Sequence, residues 1–193
     1  MNKLCIYLAK NKKLYSVKKF SKNSVVLYEN DFFPLIIFVL KGNLVAETNQ
    51  FDNPLIFNYF KTNDFIGNNL IFSNEKILKG NIICKTACEL LYLRKDEFLQ
   101  ILCSSKVFLE EYLTYCSNII RNEKTLIKCL KIPNIRNRIL YYIQQNNGSI
   151  YYTNITSLSK LLSTSRENLS RIIANLVKEN IIIKEKNFMR LKR

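Results

Sequence analysis

Histidine is absent from the 193 residues. The chain therefore lacks the commonest general base, the commonest transition-metal ligand and a haem-ligating imidazole. Ser-His-Asp and Cys-His catalysis are excluded. Glycine is scarce, with four residues and no GxxxxGK[ST] run, so a P-loop is excluded as well. Long hydrophobic runs are missing too. The longest, Phe32–Leu40, is nine residues and contains Pro34, whereas a membrane-spanning helix needs roughly 20. Near the N-terminus, Leu4–Ala9 is a short apolar run followed by Lys10, Lys12 and Lys13. It lacks the length and the small-residue cleavage site of a signal peptide, so a cytoplasmic protein without a membrane partner is expected.

Acidic residues are half as frequent as basic ones, 15 against 30, which gives a formal net charge of +15 and a pI near 9.6. Such an excess attracts polyanions. Part of it has a plainer source, because the abundance of Asn, Lys and Ile fits an A/T-rich genome. Hydrophobic residues make up 48% of the chain, which excludes wholesale disorder and suffices for one domain or two small ones. The six cysteines are Cys5, Cys84, Cys88, Cys103, Cys116 and Cys129, and none forms CxxC. In a reducing cytosol they read as small apolar core residues. Cys84 and Cys88 are expected on one face of a strand-like run, with no histidine to complete a metal set. No metal or cofactor is expected.

Residues 14 to about 95 read as short strands rich in Val, Ile, Phe and Tyr, broken by Asn, Asp, Gly and Pro. Val25–Tyr28, Leu35–Leu40, Leu44–Ala46, Pro54–Phe60 and Ile82–Leu93 are the expected strands, the last as a strand pair or one bent strand. Gly42 can supply a positive φ between the second and third. Many short strands with regular turns suggest a sandwich or barrel. Helical periodicity begins at Asp96. Asp96–Leu102 reads as a short helix, and Lys106–Lys131 has neither Gly nor Pro. Apolar residues at Leu109, Tyr112, Cys116, Ile119, Leu126 and Leu130 alternate by three and four, with Glu123 interrupting. That is a coiled-coil-like seam, expected to form a homodimer.

Pro133 ends that helix. Asn134–Gln145 reads as a further helix closed by Asn146-Asn147-Gly148, and Ser149–Thr153 as a strand. Thr156 is expected to cap a helix over Ser157–Leu162, and Ser165 one that runs to about Lys178. The apolar face of the second is Leu169, Ile172, Ile173, Leu176 and Val177. After Asn180, Ile181–Ile183 and Phe188–Leu191 flank a polar turn as a β-hairpin wing. Helix, turn, helix and wing make a winged helix-turn-helix. The charge agrees: from Pro133 onward eleven Lys/Arg face three Asp/Glu, a net +8 in 61 residues, against +7 in the first 132. The second helix opens on Ser165-Arg166-Glu167. An arginine fork fits guanine O6 and N7, and a glutamate accepts from cytosine N4. Arg166, Glu167 and Arg171 are therefore expected to read bases, with Thr156, Lys160, Ser165, Ser170 and Lys186 on phosphates.

Across nearly the whole chain the sequence resembles the cyclic-AMP receptor protein / fumarate–nitrate regulator (Crp/Fnr) superfamily of bacterial transcription regulators. Thr164-Ser165-Arg166-Glu167-Asn168-Leu169-Ser170-Arg171-Ile172 resembles its recognition helix. Asp64-Phe65-Ile66-Gly67 resembles the start of its phosphate-binding cassette, and Lys85-Thr86-Ala87-Cys88-Glu89 follows at the family spacing. The resemblance implies an α+β fold. A cupin-like double-stranded β-roll of the cyclic-nucleotide-binding type occupies residues 1–105. A dimerisation helix follows at 106–132, and a winged helix-turn-helix at 133–193. It also implies a homodimer on a near-palindromic operator in double-stranded DNA, often with TGTGA-like half-sites, and RNA polymerase as a further partner.

The effector pocket departs from the family pattern. Asn68 follows Gly67 where nucleotide-binding members carry Glu. Leu78 and Lys79 replace the Arg-Ser pair that holds the cyclic phosphate, and Glu123-Lys124 replaces the Thr-Ser that meets the purine. A buried cyclic phosphate needs a fork donor and hydrogen-bond partners. Leu78 offers none and Lys79 only a point charge, so no gating by cyclic AMP is expected and no effector is named. Cys5 alone lies near the start, where iron–sulfur members carry several cysteines. A cupin-like enzyme needs His and carboxylate metal ligands, so no enzymatic activity is expected. The remaining alternative is a small-molecule sensor or partner protein of the same fold that has lost operator binding. The intact Ser-Arg-Glu run argues against it.

Overall fold

The computed structural model describes residues 2–48 and 55–192. They form two compact units that divide after Cys116.

In the first unit, α1 (Lys3–Lys10) precedes a single 3-10 turn at Lys12–Leu14. The strands are β1 (Ser16–Phe20), β2 (Val25–Leu27), β3 (Leu35–Lys41), β4 (Asn43–Thr48), β5 (Leu55–Lys61), β6 (Phe65–Ile66), β7 (Asn81–Cys84) and β8 (Cys88–Arg94), followed by α2 (Lys95–Cys103). Pro54, the expected first residue of the fifth strand, lies outside the described residues. The strands make two antiparallel four-stranded sheets, ordered β1-β8-β3-β6 and β2-β7-β4-β5.

The apolar runs in β3 and β8 do not alternate with polar residues because both faces of their sheet are covered. Ile36, Phe38, Leu91 and Leu93 point to one side, into a cluster with Leu4 and Leu8 of α1 and Phe98, Ile101 and Leu102 of α2. Ile37, Val39, Leu90 and Tyr92 point to the other, into a second cluster with Leu44, Ala46, Ile82 and Cys84 of the facing sheet. The apolar run at Leu4–Ala9 is thus the core-facing stripe of α1. Gly42 turns β3 into β4 at φ +103°, and a Cβ there would lie 2.5 Å from Cys88 Sγ. Cys84 and Cys88 do not share one strand. They end β7 and begin β8 in different sheets, on either side of a turn, because the chain crosses between sheets at residues 85–87. Both are buried, and burial pushes the Cys84 thiol up to about 12. Cys103 is exposed, which departs from the expectation that all six are core residues.

Helix α3 (Lys106–Leu130) is 25 residues, about 37 Å of helix. Its apolar positions form adjacent pairs seven residues apart: Tyr112-Leu113, Ile119-Ile120 and Leu126-Ile127. One member of each pair is the less exposed. Tyr112 is 4% exposed and packs edge-on against Phe65 and Phe98, while Ile119 and Leu126 are half-buried. The other member is open, with Leu113 and Ile120 each 53% exposed and Ile127 55%. Of the residues expected on the seam, Tyr112 belongs to the first unit's core and Cys116 packs against it, while the exposed apolar row is Leu113, Ile120 and Ile127. Sequence spacing alone cannot decide which of two adjacent apolar residues faces inward.

The second unit continues from α3 through α4 (Ile135–Gln145), β9 (Ser149–Tyr151), α5 (Ile155–Leu161), α6 (Arg166–Lys178), β10 (Ile182–Glu185) and β11 (Phe188–Leu191). Asn134 Oδ1 caps α4 by accepting from the Asn137 N–H. The strands form an antiparallel sheet in the order β10-β11-β9, with Glu185 opposite Phe188 so that Lys186-Asn187 is a two-residue turn. Its core gathers Cys129, Ile139, Ile143, Ile150, Leu158, Leu162, Leu169, Ile173, Leu176, Ile182 and Met189.

Candidate nucleic-acid interface and the interior of the roll

The apolar stripe of α6 fixes which of its residues face water. Leu169, Ile173 and Leu176 are buried, and Ile172 is half-buried. Val177, expected on the same stripe, is 39% exposed because it falls at the stripe's edge in the last turn. The opposite face opens on Arg166, Glu167, Ser170 and Arg171, all exposed. Residues four apart on a helix lie above one another, so Arg166 with Ser170 and Glu167 with Arg171 form two adjacent rows. Glu167 and Arg171 do not pair. The Arg171 guanidinium instead donates to Asn168 Oδ1 at 3.0 Å, and Asn168 Nδ2 donates to Thr164 Oγ1 at 3.1 Å. This relay aims Arg171 along the first turn and leaves most of its fork free. Neither Asn168 nor Thr164 was expected in that role, and only their place inside the Ser-Arg-Glu run hints at it.

Ser165 caps α6 as expected, its Oγ accepting from the Asn168 N–H at 3.1 Å. The cap of α5 differs from expectation. Asn154 Oδ1 accepts from the Ser157 N–H at 2.8 Å, the helix begins at Ile155, and Thr156 lies within its first turn. Asparagine and threonine both cap well, and the two positions compete in sequence. Thr156 and Lys160 are exposed on α5, and Lys186 is exposed at the hairpin tip.

The turn between α5 and α6 is held from beneath. Ser163 adopts φ +49°, a left-handed conformation. Arg138 of α4, 8% exposed, donates from Nη1 to the carbonyls of Leu162 (2.7 Å) and Ser163 (3.3 Å). Its Nε and Nη2 donate to the Ile132 carbonyl at 2.9 and 2.7 Å. A buried guanidinium is thus satisfied by backbone oxygens alone. At the surface Arg136 forks onto Glu179 just past α6, and each holds the other in its charged form: the Arg136 pKa is raised and the Glu179 pKa lowered.

In the first unit, the cassette-like segment that opens at Asp64 turns at Gly67, at φ +87°. A Cβ there would lie 2.8 Å from the Leu35 carbonyl. Asn68 is half-buried beside it. Leu78 is 5% exposed and packs with Leu70, Leu44, Ile82 and Tyr92 between the sheets. Lys79 points to water and pairs with Glu75 at 2.5 Å. The loop's own carbonyls are taken by Lys76, whose Nζ donates to Leu70, Ile71 and Ser73 at 3.2, 3.3 and 2.9 Å. Glu123 and Lys124 are exposed on α3. Among the described residues no group of three or more His, Cys, Asp and Glu side chains could hold a metal ion, and no helix is long and apolar enough to cross a membrane.

Residues 17–105 match the cyclic nucleotide-binding domain. No curated protein sequence matches the chain. Solved structures do. A variant of CooA from Carboxydothermus hydrogenoformans superposes with a TM-score of 0.76 at 16% identity, covering 100% of this chain and 92% of that one. CprK complexed with OCPA superposes at 0.75 with 14% identity, covering 97% and 91%. A cyclic nucleotide-binding domain containing protein from Listeria monocytogenes superposes at 0.71 with 19% identity, covering 98% and 96%. Residues 17–105 therefore match a cyclic nucleotide-binding domain, and the chain as a whole shares the fold of these CooA and CprK structures.

Proposed function

We propose that this protein is a cytoplasmic, sequence-specific DNA-binding transcription regulator that acts as a homodimer on a near-palindromic operator and is not gated by cyclic AMP. Residues 1–105 serve as the sensor-like roll, 106–132 as the dimerisation helix and 133–193 as a winged helix-turn-helix. The observation that carries the reading is the first turn of α6. It presents Arg166, Glu167, Ser170 and Arg171 to solvent on a helix whose other face is locked into the core. Such a turn fits a major groove, with Arg166, Glu167 and Arg171 at base edges. Thr156, Lys160, Ser165, Ser170 and Lys186 reach phosphates around it, so affinity falls with salt. RNA polymerase is the expected further partner, and no catalytic role is assigned.

Selection of bound duplexes from a random pool yields an inverted repeat whose half-sites lie one helical turn apart. Arg171→Ala lowers affinity for that repeat by about 1–3 kcal/mol, roughly 5- to 150-fold, and leaves binding to random duplex nearly unchanged. An equal loss on both duplexes removes Arg171 from base reading.

The interior of the roll supports the absence of cyclic-AMP gating. Leu78 fills apolar space where a phosphate would need a fork donor, and Lys76 is spent on the loop's own carbonyls. Calorimetry with cyclic AMP at up to millimolar concentration gives no binding isotherm. Micromolar affinity would overturn this part of the reading.

A further inference from the structure

Helices α3 and α4 of the second unit enclose an open groove of about 430 Å³, within the roughly 300–1,000 Å³ range of small-molecule sites. Its two walls differ chemically. The α3 wall presents Arg121, Lys124 and Lys128, which the spacing of three and four places on one helix face, with the Thr125 hydroxyl among them. The α4 wall presents Tyr141 and Gln145, one turn apart. No carboxylate lines the groove. Among the described residues none of its three cations has an acidic side chain within ion-pair distance, although Arg94, Lys106 and Arg136 elsewhere do. Like charges at this spacing on one helix repel. A multiply charged anion bridging them would relieve that repulsion and accept charge-assisted hydrogen bonds from the arginine fork. The half-buried Tyr141 ring offers a flat apolar surface opposite, and the Gln145 amide offers both a donor and an acceptor.

We propose that this groove is a binding site for an organic phosphate, with the phosphate on Arg121, Lys124 and Lys128 and a flat unsaturated body against Tyr141. It involves neither the interior of the roll nor the outward face of α6, although Ile120, which the proposed dimer seam also uses, lines it beside the cations. It is a concave slot with one aromatic wall, which suits a small molecule better than the rod-like backbone of a duplex.

Calorimetry on the full-length protein at low salt, with ADP, inorganic pyrophosphate and adenosine as probes, tests it. ADP binds more tightly than pyrophosphate, and adenosine binds weakly or not at all. The triple variant Arg121→Gln, Lys124→Gln, Lys128→Gln weakens ADP and pyrophosphate by tenfold or more. Tyr141→Leu weakens ADP alone, and circular dichroism checks that its fold is intact. A Lys76→Gln variant in the roll leaves both affinities unchanged. No binding of ADP or pyrophosphate at millimolar concentration overturns the proposal, and so does binding that survives the triple substitution. If the triple variant instead loses affinity for random duplex while the wild type ignores the small probes, the groove is a DNA contact and the proposal fails. The duplex-selection experiment is scored separately, so either reading can fail without the other.

Discussion

Aspartates in place of Leu113 and Ile120 are expected to convert the proposed dimer to a monomer and to lower affinity for an inverted-repeat operator by about 100-fold or more, the avidity that linking two sites supplies. Both side chains are 53% exposed on α3, so the substitutions remove little from the chain's own core. In a parallel coiled coil these positions recur every seven residues with Ile127, and Leu109 and Leu130 fall in the alternate row. A carboxylate in each strand would face its symmetry mate across an apolar seam, where unpaired charge is costly. Sedimentation equilibrium reads the oligomeric state, and a mobility shift on full and half operators reads the affinity. The double variant retains half-site binding. A Tyr112→Ala variant separates the two faces of the helix. It opens a cavity among Phe65, Phe98 and Phe72 and destabilises the first unit by about 3–5 kcal/mol, yet it leaves the dimer intact. A monomeric wild type at micromolar concentration, or a double variant that remains dimeric, removes the seam from the proposal.

This contrast also marks how far the sequence could be read. Strands β2 to β5, the helices from α2 onward, the β10–β11 hairpin, the Gly42 turn, the Ser165 cap and the outward Arg166, Glu167 and Arg171 follow from period and residue type, because each depends on neighbours within a turn or two. Helix α1 and strands β1 and β6 do not follow from it. The inward choice at Tyr112-Leu113 depends on Phe65 and Phe98 lying beside Tyr112, and local spacing does not carry that information. Cys84 and Cys88 read as one strand because the turn at Lys85-Thr86-Ala87 contains no Gly or Pro to announce the crossing between sheets. Arg138 was invisible for the same reason. An arginine in an amphipathic helix reads as a solvated charge, and its carbonyl partners Leu162 and Ser163 lie 24 and 25 residues away.

That arginine supports the second large effect. Arg138→Leu keeps much of the side-chain volume but strips hydrogen-bond donors from three carbonyls, those of Ile132, Leu162 and Ser163. Bonds to a charged donor contribute about 1.5–3 kcal/mol each, and buried oxygens left without partners cost a comparable amount. Removing a buried cation also removes its desolvation cost, which offsets part of the loss. The net expectation is a loss on the order of 3 kcal/mol, enough to lower the thermal midpoint of the second unit by more than about 10 °C. Arg138→Lys recovers only part of it, because a single ammonium lacks the planar fork that reaches the Ile132 carbonyl and the α5–α6 turn together. Two readouts distinguish a local anchor from a general core defect. Hydrogen exchange at the Ser163 and Thr164 amides, which donate to the Lys160 and Ser159 carbonyls, quickens more than exchange in the β9–β11 sheet. Under conditions where the variant is still folded, operator affinity falls more than affinity for random duplex, since Ser163 leads directly into the cap of the reading helix. Unchanged exchange at those two amides, with an unchanged midpoint, would show that the turn holds its shape without the guanidinium.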